Sequence, residues 1–150
     1  LDPLHGRGYP TDVLALCGDD ARRILEGDMD AIAVPTDFLG INYYFPEIIA
    51  HCDDGGPLSM RVLPPAGLEQ TDFGWEVSPQ GMIDLLQRVA QEYGPSEIFI
   101  TENGATYQDT PALDGEIHDD KRVSYLQRHV AAVRDLQSRR VPVKADSLRL

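Results

Sequence analysis

Positive charge is in short supply in this chain: 13 lysines and arginines stand against 25 aspartates and glutamates in 150 residues, for a net charge of −12. A nucleic-acid surface needs a basic patch to neutralise phosphates, and with none in the sequence nucleic acid is excluded as a partner. No stretch approaches the ~20 apolar residues of a bilayer-crossing helix, and no basic-plus-apolar leader opens the sequence, so no membrane partner is expected. Cysteine is scarce too. Cys17 and Cys52 lie far apart, with no histidine near them at zinc-ligand spacing, and read as buried free thiols suited to a reducing, cytoplasmic compartment. The acidic pairs Asp19-Asp20, Asp53-Asp54 and Asp119-Asp120 read as solvated loops and helix starts, not metal sites. Gly6-Arg7-Gly8 and Gly55-Gly56 are too short to cradle a phosphate, and no cofactor is expected.

What is present centres on an apolar run that ends in one carboxylate: Glu97-Ile98-Phe99-Ile100-Thr101-Glu102-Asn103-Gly104-Ala105. Its β-branched and aromatic residues predict a short strand buried on both faces, and Asn103-Gly104 predicts a turn just after Glu102. A glutamate at the end of a buried strand is costly to keep charged, which marks Glu102 as a candidate for chemistry. Asp37 to Tyr44 reads as a second strand of the same kind.

Between these strands Ser78 and Pro79 open a helix as cap and first residue. Met82, Leu85, Leu86, Val89 and Tyr93 form its apolar stripe, and Gly94-Pro95 closes it. Strand, helix, strand in that order is a βαβ unit with parallel strands. Asp119 or Asp120 caps a last helix with Val123, Leu126, Val130, Val133 and Leu136 as its stripe, and Val141-Pro142-Val143 starts a third strand. Thr11 to Cys17 and Asp20 to Glu26 read as short helices. The stretch 51–72, rich in glycine, proline and aspartate, reads as a long loop or a brief excursion of weak strands.

Five segments, in order, resemble family 1 glycoside hydrolases, the β-glucosidase family. They are Asp2-Pro3 with Gly8-Tyr9-Pro10; Asp37-Phe38-Leu39-Gly40-Ile41-Asn42-Tyr43-Tyr44; Gly74-Trp75-Glu76-Val77 with Pro79 and Gly81; Ile100-Thr101-Glu102-Asn103-Gly104; and Asp119, Arg122, Tyr125, Leu126 and His129 on one helix. The likeness breaks off at Ala145-Asp146-Ser147-Leu148-Arg149-Leu150, where the family continues into an aromatic-rich strand.

The resemblance implies an α/β fold, part of a (β/α)8 barrel covering about strands 6 and 7 and the start of strand 8. Such barrels typically take ~250 residues, so the chain reads as a C-terminal portion of an enzyme. It also implies retaining hydrolysis of a β-glucoside or oligosaccharide. Glu102 matches the nucleophile, Tyr44 the tyrosine that hydrogen-bonds it, and Asn42 an asparagine near the first sugar subsite, with 51–72 over the active-site face. Asn103 reads as a turn residue, Trp75 as packing, and His118 and His129 as structural. A retaining enzyme uses two carboxyls about 5–5.5 Å apart. The family's second one lies in an Asn-Glu-Pro motif, which this sequence does not contain. A 6-phospho-β-glycosidase and a non-catalytic sugar-binding module are the alternative readings.

Overall fold

The computed structural model describes residues 1–64 and 67–144; the off-pattern end, Ala145–Leu150, lies outside the described residues. In chain order the elements are α1 (Thr11–Cys17), α2 (Asp28–Ile32), β1 (Leu39–Asn42), β2 (Ile48–His51), β3 (Met60–Leu63), α3 (Pro79–Tyr93), β4 (Ile98–Glu102), α4 (Asp120–Ser138) and β5 (Val143–Lys144). Short 3-10 turns at Pro3–His5, Gly18–Arg23 and Gly56–Leu58 link some of them.

Three strands form one parallel sheet in the order β1-β4-β5. Leu39 pairs with Ile98 and Ile41 with Ile100; an irregularity between Ile41 and Asn42 then sets Asn42 opposite Glu102. Ile98 pairs on its other side with Val143. Parallel neighbours need a crossover between them, and α3 and α4 supply it. Ser78 starts α3 by accepting the Gly81 N–H at 3.2 Å, with Pro79 next. Gly94 ends it in the left-handed conformation at φ 60°, its N–H donating to the Ala90 carbonyl at 3.1 Å.

Met82, Ile83, Leu86 and Val89 of α3 meet Ala132, Val133 and Leu136 of α4 over Ile98, Ile100 and Val143 of the sheet. Leu86 and Leu136 are fully buried, and truncating such a leucine to alanine typically costs ~2–5 kcal/mol. Both expected stripes hold in part, with Met82, Leu86 and Val89 buried on α3 and Val133 and Leu136 on α4. On α3 the core takes Ile83, and Leu85 stands 38% exposed. On α4 it takes Tyr125, His129 and Ala132, while Val123 is exposed. An aromatic ring and a histidine with paired ring nitrogen bury as well as valine does, and aliphatic periodicity alone passes over them.

Three further expectations change. The sheet is covered on one face only: Gly40, Asn42 and Thr101 are exposed, and Phe38 is 52% exposed against Phe99, with ring centroids 5.0 Å apart. Three strands cannot close on themselves, so the face that a barrel turns inward meets solvent. The expected helix from Asp20 to Glu26 is a 3-10 turn over Gly18–Arg23, and α2 begins only after Gly27, at φ 91°. Cys17 is exposed, because α1 buries none of its residues, and Cys52 is half-buried; both are free.

The 51–72 stretch takes its second form in part. β2 and β3 pair as an antiparallel hairpin, His51 opposite Met60.

Expressed alone, the 150 residues should bind an apolar dye such as ANS and self-associate, because one sheet face and the apolar hairpin side chains have no cover. Light scattering and dye fluorescence read this out; a monodisperse monomer with a sharp melt and no dye binding contradicts it.

Candidate active site

β1 and β4 end side by side, and the side chains at those ends converge. Tyr44 Oη donates to Glu102 Oε2 at 2.7 Å. The phenol is pushed above its ordinary value of 10.0, first by this hydrogen bond, then by lost solvation and by the glutamate's charge. It therefore stays a proton donor through neutral and mildly alkaline pH. Thr101 Oγ1 donates to Asn42 Oδ1 at 2.6 Å, which turns the amide nitrogen of Asn42 outward as a spare donor. The Thr101 methyl sits so near Gly40 that a Cβ added there would meet it at 3.1 Å.

Beside this pair lies an aromatic cluster. Trp75 is half-buried, stacked on Phe45 at 4.8 Å between ring centroids and tilted against Tyr44 at 5.4 Å. Phe73 meets it edge-on at 5.4 Å and is 65% exposed. Trp75 thus buttresses the ring that holds Glu102.

Below the strand ends the polar contacts are buried. Asn103 is 7% exposed; its amide nitrogen donates to the Tyr43 carbonyl at 2.8 Å and to Tyr125 Oη at 2.9 Å. Tyr43 Oη donates to the Ser78 carbonyl at 2.7 Å and rests on Gly81, where a Cβ would come within 2.5 Å of the hydroxyl. Burial pushes Tyr43 up to about 12, and burial likewise raises Tyr125. His129 packs flat on Tyr125 at 4.0 Å, its Nδ1 paired to the Tyr125 carbonyl at 2.8 Å. Burial lowers its pKa, so it is neutral at pH 7. Arg122 gathers the segment after Glu102, donating to the carbonyls of Ala105 and Tyr107 and pairing with Asp109 at 3.0 Å and with Asp119.

The structure brings Glu102, Tyr44 and Asn42 to one strand-end cluster. It also gives Asn103 and Thr101 parts that sequence reading missed. Asn103-Gly104 carries a turn signal that hides a buried side chain, and Thr101 reads as one more β-branched strand residue.

With this geometry in place, comparison with known proteins is decisive. The model of glycosyl hydrolase family 1 matches residues 1–149. The chain belongs to this family. A 1,4-β-D-glucan glucohydrolase of Thermotoga neapolitana is 35% identical over 144 residues, 96% of this chain and 33% of the relative. A 6-phospho-β-galactosidase of Streptococcus equi subsp. zooepidemicus is 35% identical over 128 residues, 73% of this chain and 27% of the relative. Among solved structures, the family 1 β-glucosidase from Exiguobacterium antarcticum superposes with a TM-score of 0.86 at 32% identity, over 95% of this chain and 32% of that one. The chain thus spans about a third of the length of the family 1 proteins it matches, and its sheet and helices are a section of the family's barrel.

The raised phenol gives a direct check. In a full-length chimera, made by seating this chain in place of the matching third of a family 1 relative, the Tyr44 ring carbon bearing the hydroxyl should titrate above pH 10 by NMR. Glu102→Gln removes the charge that opposes the phenolate, so the midpoint should fall. A midpoint that does not move sinks the Tyr44–Glu102 pairing.

Proposed function

We propose that this chain carries the nucleophile half of a retaining β-glucosidase, with Glu102 as nucleophile. The observation that carries this reading is the 2.7 Å hydrogen bond from Tyr44 to Glu102 Oε2 at the C-terminal ends of adjacent parallel strands. In barrels of this kind, that end is where active sites are built.

The chemistry follows from the donors. Tyr44 holds Oε2 and leaves Oε1 as the attacking oxygen. Oε1 forms a bond to the anomeric carbon while the bond from that carbon to the aglycone oxygen breaks through an oxocarbenium-like transition state. The aglycone oxygen takes its proton from an acid/base carboxyl, and water activated by the same group later releases the sugar. This sequence has no Asn-Glu-Pro, so that second group is expected from outside these 150 residues. Asn42, its oxygen occupied by Thr101, offers its amide N–H to a sugar hydroxyl.

The 150 residues alone should not turn over an aryl β-glucoside. Sugar contacts and the acid/base must come from further strands, and positioning by such contacts is worth ~7–11 kcal/mol of barrier. The chimera should hydrolyse the aryl glucoside, and Glu102→Gln should lower its kcat by roughly a thousandfold or more, since the shape stays and the nucleophile goes. An active Glu102→Gln chimera would remove Glu102 from this role.

A further inference from the structure

The β1–β4 ladder stops at Asn42 and Glu102, and its register is already irregular one residue earlier. Tyr44 therefore lies beyond the ladder, yet its hydroxyl meets Glu102 at 2.7 Å. Something past the ladder must fix that distance, and the peptides on either side of Tyr43 show what does. The Tyr43 N–H donates to the Glu102 carbonyl at 2.9 Å. The Tyr43 carbonyl, which belongs to the peptide that carries Tyr44, accepts from Asn103 Nδ2 at 2.8 Å. The same nitrogen donates to Tyr125 Oη at 2.9 Å, and Tyr125 is fully buried on α4 against His129. One amide group thus ties the end of β1, the turn after β4 and the helix behind both into a single body.

Burial gives the tie its strength. Asn103 is 7% exposed and Tyr125 and His129 are 0%, and a hydrogen bond shielded from water is both stronger and more costly to lose than one on the surface. The side chain next in sequence to Glu102 points into the protein while Glu102 itself stands exposed. The two neighbours divide the work: Glu102 accepts from Tyr44 at the surface, and Asn103 holds the peptide that carries Tyr44 from below.

We propose that Asn103 is a positioning residue, holding Tyr44 at hydrogen-bond distance from Glu102 by clamping the Tyr43 carbonyl to the buried Tyr125 hydroxyl. This rests on Glu102 being the nucleophile only as far as catalysis is concerned; the clamp itself is a property of the fold. Its consequence for the reaction is specific. Loss of the amide should act through Tyr44 and nowhere else, so its cost should vanish once the Tyr44 hydroxyl is gone.

A double-mutant cycle in the full-length chimera tests this, with variants Asn103→Leu, Tyr44→Phe and the pair. Asn103→Leu should lower kcat on an aryl glucoside about tenfold or more with KM within about threefold, and should bring the Tyr44 titration midpoint down toward that of free tyrosine. In the Tyr44→Phe background the same substitution should change kcat by less than about twofold. Tyr125→Phe, which deletes one oxygen and preserves packing, should move the Tyr44 midpoint the same way by a smaller amount, and serves if Asn103→Leu does not fold. A Tyr44 midpoint unmoved by either variant, or a full multiplicative loss in the double mutant, overturns the proposal. Because the titration needs no turnover, it reports on the clamp even where Glu102→Gln proves active and the nucleophile assignment fails.

Discussion

Everything at the candidate site hangs on the parallel pairing of β1 with β4. That pairing is backbone chemistry, and it needs α3 to carry the chain back so that the second strand starts at the same end as the first. Once it forms, a tyrosine and a glutamate that are 58 residues apart in sequence share a hydrogen bond. No loop of that length could hold two side chains to such a distance. A sheet can, because its register is set by many bonds at once and one-residue slips turn every side chain to the wrong face.

The helices serve this pairing from behind. α3 and α4 bury Ile98 and Ile100 and so fix the height of β4, while the opposite face of the sheet meets solvent. Buried and half-buried polar side chains tie down the strand ends. Tyr43 reaches the start of α3 through the Ser78 carbonyl, Asn103 reaches α4 through Tyr125, and Arg122 gathers the segment that follows. Apolar packing positions the strands; polar contacts position their tips. This is the division expected when a charged group must stand at the edge of a dry core, since each buried polar atom there needs a partner.

Much of this was legible in the sequence. The strand-helix-strand order, the Ser78-Pro79 helix start and the Gly94 stop each rest on local chemistry that tertiary contacts do not override. Glu102, Tyr44 and Asn42 could be picked out because ordered motifs named them. What was hidden has physical reasons. The true stripe on α4 includes Tyr125 and His129, whose Oη and Nδ1 find partners that no periodicity count can see. Cys17 looked like a core thiol because free cysteines usually are, but it sits on a helix that buries none of its residues. The open sheet face escaped notice because β-branched runs look alike whether one side or both are covered. Asn103 was concealed by Gly104, since an asparagine before a glycine is the common signature of an exposed turn.

Gly40 illustrates how far a missing side chain can reach. Its bare Cα lets the Thr101 methyl settle at a distance that any larger residue would contest, and that placement turns the Thr101 hydroxyl onto Asn42. The amide of Asn42 takes its direction from there. A hydrogen atom in the middle of one strand thus leaves the room in which its neighbour's hydroxyl reaches Asn42 and, one contact further on, in which one end of an asparagine is held.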